Sequence, residues 1–530
     1  MQGIMTRAKR KRAPTPSYVS PNQLTLEAFA SPFASRLKPT NRWVVLGDLI
    51  PWDDICGTYL KHVGISRTGR PPLSPRVVIG SMIIKHLMNL DDREVVETIS
   101  ENMYMQYFLG YASFSIEPPF DASLFVEFRK RLGADQINAI NEKIISLKTH
   151  LETPKKESKP SDSNDVDASS TNNENRGRVI YDATACPQDI AYPTDLTLLS
   201  DAREKSEQLI DLLYDPALHA KKPRTYREVA RTKYLHTAQK KNKSLKAIRS
   251  AVGSQLRFLN RNIKSINKLL NSFNAIGIPL EKRDYKYLLV INTLYQQQKE
   301  MYDELKHTIE DRIVSIHQPH VRPIVRGKTT AKVEFGAKIH VSLIDGISFL
   351  DEISWDAFNE GSHMIEYVEK YKARFGCYPR ELLADKIYCT RSNRAWLKEK
   401  GIKLIAKPLG RPSAVGNHVS PGERNPIEGK FGQAKTAYGL NRIKARLRNT
   451  SESWIACIFL VLNLVKLAGA ALPYTLLKWW DSFSARDALV MKFQTVEEFL
   501  TEAFIPIEIL SPPWAGEKSK NQFISRPYLH

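Results

Sequence analysis

The spacing of apolar residues divides the chain into stretches of different character. Behind Ser74-Pro75, an N-cap and first-turn pair, the run VVIGSMIIKHLM is apolar nearly all round, which predicts a buried helix. DDREVVETISEN follows, with Asp91 and Glu94 spaced as a capping box, and FDASLFVEFRKRLG predicts a further helix ending at Gly133. Short capped helices with little strand signal predict an all-α domain over 45–150. Residues 1–44 are polar and basic, a flexible arm. Residues 151–177 are rich in Ser, Asn, Asp and Lys and lack an aliphatic period, so they read as a disordered linker.

Beyond the linker, RVIYDATA predicts a short buried strand that ends at Asp182. Over 201–330 the period is helical again, in long segments that suit antiparallel helices. After 330 it changes to alternation. AKVEFGAKIHVSLIDG and ISFLDEISWD predict two strands joined by a hairpin turn at Asp345-Gly346. MIEYVEKYKARFG predicts a helix closed by Gly376, ELLADK a strand ending at Asp385, RSNRAWLKEKG a helix and IKLIAKPL a strand. A last helix starts at Pro426. The fold class is α/β: three strands in a meander, then alternation, which makes a mixed sheet flanked by helices. The sheet domain occupies 178–200 and 331–470, the helices of 201–330 are an insertion within it, and 471–530 is a C-terminal extension. The apolar run WIACIFLVLNLVKLAGAALPY, 454–474, contains Asn463 and Lys466, which favours a buried core helix over a membrane span.

Charge narrows the choice of partner. Lys and Arg number 78 against 57 Asp and Glu, a net charge of +21. That excess favours a polyanion, nucleic acid before membrane. The insertion holds a nearly acid-free run in which Lys240, Lys241 and Lys243 are candidate phosphate contacts. Five scattered cysteines with no CxxC point to a reducing compartment and to neither disulfides nor a cysteine zinc site. The basic N-terminus has no apolar stretch behind it, so no secretory signal is expected. The absence of a GxxxxGK[ST] loop argues against nucleotide hydrolysis.

The candidate chemistry lies in three acids. Ligand sites in open α/β sheets gather beyond the carboxyl ends of strands. Asp182 and Asp385 each close a predicted strand, and Glu428 sits in the first turn of the last helix. If the two strands are neighbours, the acids meet. Clustered carboxylates need a cation, and hard oxygen donors favour Mg2+ or Mn2+, two ions suiting phosphodiester chemistry. Arg424 and Lys435 flank Glu428 at spacings of four and seven, which puts all three near one helix face, as candidate DNA contacts. Each acid also has an ordinary use: Asp182 in a turn with Thr184, Asp385 as a cap for the helix at 391, Glu428 in a capping box with Asn425 as N-cap. Asp345, Asp351 and Asp356 read as turn and surface residues, and His317 and His320 as a loop pair.

These segments resemble a known family. DATACPQDIAYPTDLTLLSDAR, KVEFGAKIHVSLIDGISFLDEISWDAFNEG, LLADKIYCTRSNR and NPIEGKFGQAKTAYGLNRIKARL are similar to consecutive blocks of the DDE transposases of bacterial insertion sequences. The run from GRPPLSPRVVIG to EFRKRLG resembles their N-terminal helical domain. The resemblance implies a ribonuclease-H-like fold and catalytic, metal-binding roles for Asp182, Asp385 and Glu428. In the branch with a Tyr-Arg-Glu-Lys signature, Arg424, Glu428 and Lys435 match the last three positions; Pro421 stands at the tyrosine position, and Ile387 stands where glycine is common before Tyr388. It implies cleavage at element ends and strand transfer into target DNA. The partners it implies are double-stranded DNA and a second copy of the chain as a homodimer, with no membrane, in the bacterial cytoplasm at the nucleoid. The alternatives are a hydrolytic nuclease of the same fold and a catalytically inactive DNA-binding repressor.

Overall fold

The computed structural model describes residues 37–63, 72–152, 175–273, 277–325, 333–406 and 421–487. The chain divides into two compact units, Met1–Leu472 and Pro473–His530, and the fold below is that of the first. Most of the predicted basic arm and linker, and residues 488–530 of the C-terminal extension, lie outside the described residues.

Among the described residues, seven helices come first. Helices α1 (Arg42–Leu49) and α2 (Trp52–Val63) meet at Pro51, and Asn41 caps α1 by accepting from the Trp43 N–H. The first therefore begins inside the predicted arm. Helix α3 (Pro75–Met88) is buried along most of its length and ends on Asn89 in the left-handed conformation, φ 52°. Ser74 precedes it without a side-chain cap, so Pro75 sets the start. The Asp91–Glu94 capping box is formed at the head of α4 (Asp92–Glu101). Then come α5 (Met103–Phe108), α6 (Leu124–Arg131) and α7 (Ala134–Glu152), the last running to the edge of the predicted linker.

The sheet has six strands: β1 (Arg178–Pro187), β2 (Arg322–Val325), β3 (Val333–Ile344), β4 (Ile347–Ser354), β5 (Glu381–Leu383) and β6 (Lys403–Ile405). Its order is β2-β3-β1-β5-β6, with β4 also pairing β3. Strand β1 is antiparallel to β3 and parallel to β5, and β5 is parallel to β6. The β3–β4 turn has Asp345 at φ 49° and Gly346 at φ 80°, the left-handed pair a tight hairpin demands. Two expectations need correction. Strand β1 does not end at Asp182; it continues to Pro187 because the long β3 keeps offering partners as far as Gly336. Strand β2 lies in a stretch read as wholly helical. Four residues are too few to show a period, and Pro323 is tolerated because β2 pairs only with β3.

Helices α8 (Asp195–Leu213), α9 (Arg227–Ala238), α10 (Leu245–Leu270) and α11 (Lys282–Asp303) stand between β1 and β2 and enclose their own apolar core, with Leu199, Ile210, Leu259, Ile266 and Leu294. The N-terminal helices and the sheet share a different, continuous core. Helices α12 (Met364–Phe375), α13 (Arg391–Glu399) and α14 (Asn425–Ala437) alternate with the strands, and α15 (Arg448–Asp487) is last. Residues Arg448–Gly469 are long and apolar enough to cross a bilayer, but 72% of their apolar window is buried, and Trp454 to Leu467 join the shared core. Asn463 explains its place there. Its Oδ1 accepts from the Ser348 N–H at 2.8 Å, and its Nδ2 donates to the Ser348 carbonyl at 2.7 Å and to Asn141 at 3.0 Å. It thereby satisfies backbone groups of β4 that face away from β3.

Candidate active site

The sheet's register sets the first two acids. Ile180 of β1 pairs with Leu383 of β5, the last pair of that ladder. Asp182 and Asp385 each lie two residues beyond that pair, Asp182 still within β1 and Asp385 past the end of β5, so their side chains stand at the same level on the same side. Asp385 then turns the chain: its side chain accepts from the Lys386 N–H at 2.8 Å and caps a 3-10 turn, Lys386–Tyr388. It does not cap α13, which uses Thr390. Asp182 Oδ1 accepts from the Ala183 N–H at 2.9 Å, leaving Oδ2 to face outward contacts.

One guanidinium joins the two acids. Arg424 Nη2 lies 3.4 Å from Asp182 Oδ2, and its Nη1 lies 3.2 Å from Asp385 Oδ1. Arg424 is the residue before α14, and its buried Nε has no hydrogen-bond partner among the described residues. Burial pushes the Asp182 carboxyl up to about 6; Arg424 and the Ala183 N–H pull it down, and Glu360 and Asp385 add to the rise. Asp182 is thus held in a place that resists its charge, beside a cation that answers it.

Glu428 lies on the exposed side of the first turn of α14, four residues from Arg424, while Ile427, Phe431 and Ala434 face the core. The capping box that could have occupied it is not formed: the helix includes Asn425, and Arg424 in the N-cap position makes no side-chain cap. Lys435 is half-buried on the same helix. Among the described residues, no three His, Cys, Asp or Glu side chains converge as a ready metal cluster. The structure therefore brings Asp182, Asp385 and Arg424 into contact, and sets Glu428 on the adjoining turn without joining it to them. Lys240, Lys241 and Lys243 lie exposed between α9 and α10, on the insertion.

Two features escaped the sequence reading. A 3-10 turn, Glu360–His363, abuts the turn after Asp385: a Cβ at Gly361 would run into the Ile387 carbonyl oxygen, and Asn393 Nδ2 donates to the carbonyls of Gly361 at 2.6 Å and Tyr388 at 3.0 Å. Glu360 in that turn pairs with Lys338 at 2.6 Å. Only the Asn393 position, inside a predicted helix, signalled it. Beneath lies a buried polar layer. Asp351, expected at the surface, has a fully buried side chain that takes His340 Nδ1 at 3.2 Å, Arg374 Nη1 at 2.7 Å and the Ser342 hydroxyl. Burial opposes its charge, but the His340 hydrogen bond and the Arg374 guanidinium outweigh it and hold the carboxyl below its usual range. His340 stacks on Tyr367 at 3.5 Å, and Tyr181 packs edge-on against His340. His317 and His320 sit outside helices, on Tyr287 and Trp355.

A family model described as a transposase DDE domain matches residues 382–465, which take in Asp385, Arg424, Glu428 and Lys435. Another, described as a transposase domain (DUF772), matches residues 31–131, through α6. The chain belongs to the DDE transposases of insertion-sequence type. A Rhizobium meliloti protein described as "Uncharacterized protein ORF8 in nfe locus" is 32% identical over 165 residues, 31% of this chain and 69% of that one. No solved structure matches. Asp182 falls outside the matched stretch of the transposase, so its part rests on the β1–β5 register and on Arg424.

Proposed function

We propose that this transposase cuts DNA at the ends of its element and transfers the freed 3′-hydroxyl to target DNA, using Asp182, Asp385 and Glu428. The observation that carries the reading is the single guanidinium held by both aspartates. Two carboxylates, one within β1 and one on the turn after β5, already share one cation, and their oxygens are the hard donors that Mg2+ or Mn2+ prefers. Glu428, free of the capping box and one helical turn beyond Arg424, is assigned as the third donor, since the nearer Glu423 is held by Arg178. Bound there, two such ions would activate the attacking water or hydroxyl and stabilise the leaving oxygen. The chain's own contribution is positional. The sheet register fixes Asp182, the Asn393-laced turn fixes Asp385, and Pro426 fixes where the helix bearing Glu428 begins. Arg424 and Lys435 are assigned to phosphates beside the cut.

The strand order, with β4, β3, β1, β5 and β6 side by side and β3 antiparallel to β1, supports a ribonuclease-H-like sheet. We assign 45–150 to DNA binding, 201–330 to an insertion in the catalytic domain split over 178–200 and 331–470, and the working form to a homodimer at the nucleoid. Labelled element-end DNA incubated with Mg2+ tests the reading. Nicked and then joined products are expected, lost by at least about a hundredfold in Asp182→Asn, Asp385→Asn and Glu428→Gln separately. Hydrolysis without joining would leave a nuclease. Binding without any metal-dependent cutting would leave a repressor, and full cutting by Asp182→Asn would remove the metal assignment.

A further inference from the structure

Helix α10 carries six cations and no acid: Lys246, Arg249, Arg257, Arg261, Lys264 and Lys268. At 100° per residue they fall within an arc of about 120°. The opposite face, with Val252, Leu256, Leu259, Ile263 and Ile266, is buried in the core of the insertion. All six cations are exposed. Among the described residues none of them pairs with an acid, whereas cations on neighbouring segments do: Arg203 with Glu207, Lys205 with Asp284, Arg227 with Asp211. From Lys246 to Lys268 the stripe covers 22 helical steps, about 33 Å, close to one turn of B-DNA.

A second feature sits on this stripe. Arg261 and Arg224 each lie 4.5 Å from the centre of the Tyr226 ring. Tyr226 holds a left-handed backbone, φ 56°, at the head of α9. Such a conformation is costly for a tyrosine, so the surrounding structure fixes the ring. Stacking on it orders two guanidiniums without consuming their N–H groups, which suits them to phosphate oxygens.

We infer that the exposed face of α10, with Arg224 beside it, is a track for the phosphate backbone of double-stranded DNA. It is distinct from the acidic site and rests on the reading above only in taking DNA as the partner. The track contacts backbone and not bases, so it serves element ends and unrelated DNA alike. The test is fluorescence anisotropy of labelled duplexes over a salt series, in EDTA, with Asp182→Asn as the background so that the outcome is independent of the metal site. Arg257→Gln, Arg261→Gln and Lys264→Gln combined should lower the slope of log affinity against log salt by about 2 to 3. The loss should be equal on end and unrelated sequences. The charge-keeping set Arg257→Lys, Arg261→Lys and Lys264→Arg should retain most of the slope, and Lys264→Glu alone should lower it by about 1. An unchanged slope in the glutamine set and in Lys264→Glu, with unchanged melting, overturns the inference, as does a loss confined to end DNA.

Discussion

Arg424 and Asp182 concentrate the residue-scale physics. Each carboxylate–guanidinium contact is charge-assisted, and a divalent ion bound as proposed would have to compete with both. Arg424→Gln is therefore expected to bind Mn2+ about tenfold more tightly in the absence of DNA, read by titration calorimetry, while cleavage of end DNA falls. Asp182 adds a pH signature. Its folded pKa, about 6, lies above the ordinary value of 3.8. Below pH 4 the carboxyl is neutral in both folded and unfolded chains, and the fold is favoured; as pH rises through 6 the folded chain must carry a disfavoured charge, and that stability is lost. In EDTA, Asp182→Asn should match the wild-type melting point near pH 4 and exceed it at pH 7, by up to about 3 kcal/mol. A variant less stable at pH 7 would contradict this. The meeting of Asp182 and Asp385 was expected from two predicted strand ends, although β1 runs on past Asp182, and Glu428 was expected to reach them but stands apart on the first turn of its helix. Arg424's grip on both aspartates was not legible, since spacing places it on a helix face and says nothing of what lies across from it. Asp351 was misread for the same reason: its partners His340 and Arg374 come from β3 and α12, and an isolated acid in a hairpin looks solvated.

At the scale of elements, alternation and caps carried most of the information. The hairpin turn and the capping box of α4 follow from two to four adjacent residues each, and the β5–α13–β6 succession from three short runs of changing period. What was lost is set by distant pairing: β2 exists because β3 has a free edge, and β1 outruns Asp182 because β3 is long. The buried helix α15 shows how one polar side chain can be read from both directions. Asn463 makes the segment a poor membrane span, and it closes the hydrogen bonds of Ser348 on β4. Asn463→Leu should leave both backbone groups and Asn141 without partners and lower stability by about 2 to 4 kcal/mol, measured by urea denaturation. A neutral result would mean that water reaches β4.

Across the whole molecule, two cores imply two kinds of independence. The insertion has its own apolar interior, so a fragment of residues 193–318 should fold alone, giving a helical far-UV spectrum and a cooperative melt. The sheet does not separate in this way from the N-terminal helices. Trp454 packs with His86, Lys85 and Arg129, and Asn463 reaches Asn141. A fragment beginning at residue 175 should therefore expose that apolar face and aggregate, while the full chain stays dispersed in light scattering.

The β1–β5 register has a genetic corollary. Because side chains alternate across a strand, losing one codon ahead of Asp182 turns the acid to the far face of the sheet or forces the ladder to slip. The insertion encloses its own core apart from that sheet, so such a deletion would separate loss of the proposed chemistry from loss of the insertion's fold.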